Sequence, residues 1–326
     1  MSETSRVTTL TWLRRRADRI ACGVVLIVLV SGAVQVLSPW LRERRIAQAV
    51  QSIGGYVRFQ DHAPTWIPRS ADVPFFERID SVQLRGKSAA PRVLSGLASL
   101  THLKHLFLDD SPVTDADLEN FRGLAGLEWL SLNKTLVTDA GLRHLHGLTF
   151  LEGLWLNETL VTDAGLEQLT SLPSLTLLSL NQTRITDTGL VHLKGLTSIR
   201  KLELNGNRVS DAGLLHLRGL TRLERICLDD TQVTDAGLGV LKQLAHLEVL
   251  DLARTRITDD GLKHLRGLTE LERLDLSQTQ VTDSGMAELQ GLTGLRWLYL
   301  HGTQVSAERL AALRQSLPLC SIEAVP

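Results

Sequence analysis

A stretch of 24 residues recurs without interruption and decides the fold of this 326-residue chain. Residues 127–150 read LEWLSLNKTLVTDAGLRHLHGLTF, and residues 151–174 read LEGLWLNETLVTDAGLEQLTSLPS. Further copies follow at 24-residue intervals in both directions, so that ten modules cover residues 79–318 without an insertion or a deletion. The first module, from Ile79, is the least regular, as is expected at the end of a repeat array.

Each module contains two kinds of hydrophobic spacing. Leu130 and Leu132 are two residues apart, which is the spacing of a β-strand, whereas Leu142, Leu145 and Leu148 are three apart, which is helical spacing. Between them lies Thr-Asp-x-Gly, whose Thr or Asp can cap the first N–H groups of a helix. Because no single module can bury its own leucines, we predict that the modules stack, with a parallel sheet on one side and helices on the other.

The pattern L-x-x-L-x-L-x-x-T-x-V-T-D-x-G-L-x-x-L-x-x-L resembles the leucine-rich repeat family. The resemblance implies an α/β solenoid, a horseshoe with the parallel sheet on its concave face and helices on its convex face. The T-D-x-G-L form, behind one apolar segment and a short basic helix, is similar to membrane-anchored repeat proteins of planctomycete bacteria.

The chain departs from the family at the position that follows each strand. The family usually places Asn there, bonding its side chain to the neighbouring backbone, but this chain has Asn only at Asn207. We therefore expect the bonding at this position to be weaker or differently arranged. Seven of the other modules have Thr, namely Thr135, Thr159, Thr183, Thr231, Thr255, Thr279 and Thr303.

The segment that precedes the repeats indicates a membrane anchor. Residues 20–41 are 22 consecutive uncharged residues, and as a helix they would span about 33 Å, enough for a bilayer core. We interpret residues 1–19 as a basic tail, residues 20–41 as a transmembrane helix, 42–78 as a helical stem and linker, and 319–326 as a C-terminal cap. We expect the repeats on the non-cytosolic side. A signal peptide cleaved after the small residues at 31–33 and a buried soluble helix are the alternatives.

Composition and motifs exclude several classes of function. The 35 Lys and Arg residues balance the 36 Asp and Glu residues, which argues against nucleic-acid binding because that requires a strongly basic face. Three cysteines are too few for a disulfide scaffold or a four-cysteine metal site. The chain lacks a glycine-rich phosphate loop, a G-x-S-x-G motif and an H-E-x-x-H motif. We therefore predict a non-catalytic protein without cofactor or metal.

One aspartate recurs at the start of the helical half of eight of the ten modules. Stacked carboxylates could hold Ca²⁺, but an anion at a helix start is already favoured by the exposed N–H groups and the helix dipole. We therefore interpret the column as structural. Its members are Asp115, Asp139, Asp163, Asp187, Asp211, Asp235, Asp259 and Asp283.

The strand residues between the core leucines must point to the inner face of the horseshoe, because side chains alternate along a strand. Aromatic residues are rare, yet five of the 14 fall in these positions, and exposed Trp, Tyr and Arg dominate binding hot spots. We expect one aromatic patch on three adjacent strands, a second at the C-terminal end, and Arg and Asp residues between them. The predicted site comprises Phe107, Trp129, Trp155, Arg225, Asp229, Asp251, Arg254, Arg273, Trp297 and Tyr299.

Together these patterns predict a single-anchor membrane protein whose concave face binds another protein or a peptide. A receptor for cell-wall glycan is the first alternative, with Trp129 and Trp155 stacking on sugar rings. A soluble adaptor of the substrate-receptor kind is the second.

Overall fold

One continuous sheet runs through the whole array of repeats. The computed structural model describes residues 37–62, 77–86 and 91–324. Twelve strands lie in sequential order; the first pair is antiparallel and every later strand is parallel to the one before it. The strands are β1 (Tyr56–Asp61), β2 (Glu77–Gln83), β3 (His105–Phe107), β4 (Trp129–Ser131), β5 (Gly153–Trp155), β6 (Leu177–Ser179), β7 (Lys201–Glu203), β8 (Arg225–Cys227), β9 (Val249–Asp251), β10 (Arg273–Asp275), β11 (Trp297–Tyr299) and β12 (Ser321–Glu323).

Short helices form the opposite layer, as the helical spacing of the leucines predicts. Residues 37–52 form α1. The others are α2 (Pro91–Leu97), α3 (Asp115–Leu118), α4 (Asp139–Leu142), α5 (Asp163–Gln168), α6 (Asp211–Leu214), α7 (Asp235–Leu238), α8 (Asp259–Leu262), α9 (Met286–Leu289) and α10 (Ala307–Ser316). A 3₁₀ turn continues directly from α3, α4, α5 and α6, and the module between α5 and α6 has the 3₁₀ helix Gly189–Gly195 instead.

The core is a stack of identical layers between sheet and helices. In each layer the strand leucines and the helix leucines converge, so that Leu130, Leu142 and Leu148 are all 0 % exposed. Stacking buries the apolar surface that a single module would leave exposed to water. Each Å² of apolar surface buried contributes about 25 cal/mol to the free energy of folding. The predicted solenoid with its parallel sheet and helices is therefore confirmed.

The N-terminal end of the stack is closed by residues that the sequence interpretation placed in a stem. Ile46 and Val50 of α1 are buried in the same core as the repeats. The Glu43 carboxylate accepts the N–H of Ile79 at 2.8 Å, which satisfies a backbone donor of β2. These residues form a cap on the first repeat, because an open end of the stack would expose apolar side chains.

The membrane segment predicted at residues 20–41 lies almost wholly outside the described residues. Within 37–62, 77–86 and 91–324, no helix is long and apolar enough to cross a bilayer.

The recurring aspartate joins each repeat to the next one. Asp115 Oδ1 accepts the backbone N–H of Thr138 at 2.8 Å, and Asp115 Oδ2 accepts the Thr138 hydroxyl at 2.6 Å. Thr138 is the N-cap residue that precedes α4, so the carboxylate of one repeat holds the start of the next helix. We expected each aspartate to stabilise the start of its own helix, and the structure instead directs the bond across the repeat junction. The same pair of bonds joins Asp139 to Thr162, Asp163 to Thr186, Asp187 to Ser210, Asp211 to Thr234, Asp235 to Thr258 and Asp259 to Thr282.

The glycine of Thr-Asp-x-Gly makes room for this carboxylate. A Cβ placed on Gly141 would lie 2.4 Å from Asp115 Oδ1, and one placed on Gly237 would lie 2.4 Å from Asp211 Oδ1. Both distances are far inside van der Waals contact. The Asp of one module and the Gly of the next are therefore two halves of one junction.

The threonines after the strands bond to a carbonyl of their own repeat, and Thr183 also reaches Asn207 of the next repeat at 3.0 Å. Thr135 donates its hydroxyl to the carbonyl of Leu132 at 2.6 Å. Asn207, in contrast, donates to the carbonyl of Leu180 in the preceding repeat at 2.7 Å. The expected different arrangement at this position is thus observed, and the Asp junction supplies the link between repeats that Thr is too short to make.

Replacing Gly237 by Ala should destabilise the stack by about 2 kcal/mol, because the new methyl group displaces the Asp211 carboxylate from Thr234. Urea denaturation of the full chain measures this. Gly219→Ala is the matched control, since a Cβ there meets nothing within 4 Å. Equal midpoints for the two variants would contradict the junction, whereas partial rescue of Gly237→Ala by Asp211→Ala would support it.

Candidate functional site

Two tryptophans form a stack on the concave face. The ring centroids of Trp129 on β4 and Trp155 on β5 are 5.5 Å apart, with 30° between the ring planes. Trp129 lies opposite Gly153 in the sheet register, and a Cβ on Gly153 would lie 2.2 Å from the Trp129 ring. The indole of Trp129 therefore lies over bare backbone. Both rings remain partly exposed to solvent.

Phe107 makes a different contact from the one expected. The Arg85 guanidinium lies over its ring at 5.3 Å, and Arg85 Nε is 2.9 Å from the Asp109 carboxylate. No ring contact joins Phe107 to either tryptophan in the described part of the chain. The structure thus brings two of the three predicted rings together and places the third under a cation.

An amide ladder holds the backbone beside the tryptophans. Asn133 Oδ1 accepts the N–H of Asn157 at 2.9 Å, and Asn157 Oδ1 accepts the N–H of Asn181 at 2.7 Å. Asn181 and Asn205 continue the pattern until the N–H of Asp229 ends it. The backbone just after the strands that carry the aromatic pair is therefore held by side-chain hydrogen bonds as well as by the pairing of the strands.

Carboxylates take over this task in the C-terminal half of the face. Asp251 Oδ1 accepts the N–H of Ala253 at 3.2 Å, and Asp275 Oδ1 accepts the N–H of Ser277 at 2.9 Å. Both bonds stay within one repeat. These carboxylates stand two residues before the position of the asparagines in the module, and they add negative charge to the C-terminal half of the concave face.

Arginines partly neutralise this acidic half. Arg254 forms an ion pair with Asp229, and the Arg273 guanidinium lies 4.9 Å from the centre of the Tyr299 ring. Arg225 Nε is buried without a hydrogen-bond partner among the described residues. The predicted interleaving of Arg and Asp is present, but Arg254–Asp229 is the pair in which the charges meet directly.

Burial raises the pKa of Asp251 to about 6, and the carboxylates of Asp275 and Asp229 act in the same direction against the Ala253 hydrogen bond. Burial also raises the pKa of Asp229, while Arg254 opposes that rise. The charge of the C-terminal half therefore changes near neutral pH.

The second aromatic position lies far from the tryptophan pair. Trp297 is 46 % exposed, and Tyr299 lies on the same face of β11, 6.3 Å from the His301 ring. Six strand spacings separate β5 from β11, roughly 29 Å. No small molecule touches both positions at once, so a ligand that uses both is extended.

Neither a metal site nor an activated thiol is found on the described part of the chain. No group of three or more His, Cys, Asp or Glu side chains there could hold a metal ion. Burial raises the pKa of the Cys227 thiol to about 12, which keeps it protonated at neutral pH.

Comparison with known families identifies the repeats. Leucine-rich repeat models match residues 195–217, 221–281 and 245–305. Residues 195–217 and 221–305 are leucine-rich repeats. The predicted family is therefore confirmed, while the 24-residue subtype and the planctomycete resemblance stay predictions.

Solved structures are similar to this chain over most of its length. Internalin C2 from Listeria monocytogenes is 28 % identical, with a TM-score of 0.50 over 65 % of this chain and 84 % of that one. Another internalin of that bacterium is 19 % identical, with a TM-score of 0.46 over 78 % of this chain and 91 % of that one. A plant peptide hormone receptor in complex with its hormone is 14 % identical, with a TM-score of 0.46 over 71 % of this chain and 41 % of that one. No curated protein matches the chain.

Replacing Asp251 by Asn should stabilise the full chain at pH 7.5 by about 1 kcal/mol, a value reduced for solvent screening. The folded pKa lies above the unfolded one, so the ionised carboxylate costs stability above pH 6, and this cost disappears as the pH falls towards 4. The amide keeps the oxygen that accepts the Ala253 N–H.

Urea midpoints between pH 4 and pH 8 measure this effect. The gain should be present at pH 7.5 and absent near pH 4, and exposed Glu167→Gln serves as the control. A gain of the same size at both pH values would show that charge is not its cause.

Proposed function

We propose that this chain is a non-catalytic interaction protein that binds another protein or a peptide through its concave face. The observation that carries the proposal is the Trp129–Trp155 stack over Gly153. Large rings that are ordered before binding lose little conformational freedom when a partner covers them. Repeat solenoids in general use their extended concave surfaces for binding.

The extent of the face favours a macromolecular ligand. Aromatic contacts at β4 and β5 and at β11 lie at opposite ends of a polar part of the face, which suits a chain that crosses several repeats. The residues proposed to contact the partner are Phe107, Trp129, Trp155, Arg225, Asp229, Asp251, Arg254, Arg273, Trp297 and Tyr299.

A cell-wall glycan is the second candidate, and the tryptophan pair also favours it, because indole faces stack on sugar rings. It is less well supported, since Trp129 lies against Gly153 and beside Trp155, which leaves a sugar less of the ring face.

The double substitution Trp129→Ala, Trp155→Ala should abolish partner capture. The full chain, tagged and extracted in detergent from its own cells, is compared with the double variant, and co-purifying proteins are quantified by mass spectrometry. Phe150→Ala is the control, because it removes a ring that is 64 % exposed in the segment before the next strand.

A specific protein that is lost with the double variant and kept with Phe150→Ala supports the proposal. Equal recovery with all three chains contradicts it. A glycan array probed with the same chains separates the second candidate, which requires retention of a glycan that the double variant releases.

We also propose that residues 20–41 anchor the chain in a membrane, with the repeats on the non-cytosolic side. The anchor is supported by the uncharged run itself. The orientation is supported by the larger number of arginines before the run, Arg14, Arg15, Arg16 and Arg19, than after it, Arg42, Arg44 and Arg45. Residues 37–41 belong to α1, which packs on the first repeat, so an anchor there would place the solenoid close to the bilayer.

The full chain should remain in the membrane pellet after carbonate extraction, and Val25→Arg, Leu29→Arg should release it, because charges at the bilayer centre oppose insertion. Protease added to intact cells should cleave the repeats. Recovery of the unaltered chain in the soluble fraction would refute the anchor. Repeats that resist the added protease would indicate the opposite orientation.

A further inference from the structure

A second regular row of side chains runs beside the concave face. The tenth residue of each module follows the strand and its turn, and its backbone forms another ladder from repeat to repeat. The N–H of Leu160 donates to the Val137 carbonyl at 3.1 Å, and the N–H of Arg208 donates to the Ile185 carbonyl at 3.1 Å. In this ladder Arg184 lies opposite Thr162 and Arg208 lies opposite Thr186, so the rim row advances by one module at each step, about 4.8 Å along the solenoid. The rim row is Pro112, Leu136, Leu160, Arg184, Arg208, Gln232, Arg256, Gln280 and Gln304.

The rim row divides sharply in character. Leu136 is 54 % exposed and Leu160 is 41 % exposed, although neither is needed for the core. Arg184 and Arg208 come next, are exposed, and form no ion pair with any described residue. Three later modules place Gln at this position, so the fold itself requires neither leucine nor arginine there.

A hollow opens at the two arginines. It has a volume of about 280 Å³ and is lined by Thr183, Arg184, Thr186, Gly206 and Arg208. The Thr183 and Thr186 hydroxyls already donate, to the Leu180 carbonyl and to Asp163 respectively. The guanidinium groups are thus the unused donors of this hollow, and guanidinium donors are suited to carboxylates.

We propose that the rim row from Leu136 to Arg208 binds an extended peptide segment with apolar side chains next to acidic ones. The apolar side chains would cover Leu136 and Leu160, and a carboxylate would enter the hollow between Arg184 and Arg208. The four rim-row positions from Leu136 to Arg208 span about 14 Å, which is the length of four or five residues of extended peptide. Charge complementarity selects an acidic partner, and the exposed leucines select one that is also apolar. The site shares no residue with the proposed concave-face site, so either can fail alone.

Random dodecapeptides displayed on phage and panned on the full chain provide the test. Enriched peptides should combine apolar residues with Asp or Glu. Their affinity, measured by fluorescence anisotropy, should fall by about tenfold or more with Arg184→Gln, Arg208→Gln, since charge-assisted hydrogen bonds are lost. Leu136→Gln, Leu160→Gln should weaken binding similarly. Each substitution introduces the residue that other repeats carry at this position, so the fold is preserved.

Arg256→Gln is the matched control, because it removes a rim-row arginine that has no exposed leucine beside it. Peptides that bind all variants equally, or no enrichment at all, would overturn the proposal. Loss of binding only in Trp129→Ala, Trp155→Ala would assign the peptides to the concave face instead. If no peptide is enriched and the chain sediments with phosphatidylserine vesicles through Arg184 and Arg208, the peptide proposal is wrong. The ligand of the rim row would then be a membrane surface.

Discussion

The carboxylate that crosses each repeat junction is the interaction on which the rest of the structure depends. Leucine burial drives stacking but has no direction, because the hydrophobic effect depends on area alone. The Asp139 carboxylate gives the stack its direction: it holds the N–H and hydroxyl of Thr162, and it fits only because Gly165 lacks a Cβ. Repetition of this bond fixes the rotation of each module against the last. That regular rotation in turn sets the strands in register and aligns the side chains of the concave face and of the rim row.

The sequence predicts the features that depend on the spacing of hydrophobic residues. It leaves open which repeat each aspartate side chain bonds to. The spacing of Leu130 and Leu132 against that of Leu142 and Leu145 is sufficient for strands, helices and stacking, because burial leaves one arrangement for such a pattern. The destination of the Asp carboxylate was not predictable in the same way. An acidic residue at a helix start is favoured by that helix whichever helix it caps, and Thr-Asp-x-Gly contains no local sign that its partner lies 23 residues away.

The candidate site shows the same division. Alternation along the strands predicts that Trp129 and Trp155 lie on the concave face. Their contact also depends on Gly153, because a side chain there would collide with the Trp129 ring, and the alternation does not reveal this. Phe107 was expected to join them, and Arg85, outside the repeat consensus, lies over it instead. Alternation along the strands does not predict the rim row, because its residues follow the turn after each strand. Its signal was available in the sequence: leucine at Leu136 and Leu160, where later modules carry arginine or glutamine.

Two different devices hold the concave backbone, and this difference has a consequence for binding. From Asn133 to Asn205 each amide oxygen accepts the N–H of the next repeat, a neutral bond that pH does not change. Beyond Asp229 the acceptors are carboxylates within single repeats, and burial raises the pKa of Asp251 to about 6. The backbone of the tryptophan half is therefore held by neutral groups, whereas the Arg–Asp half becomes less negative as the pH falls below 6. A partner that contacts both halves would keep its aromatic contact in acid and lose attraction for its basic groups.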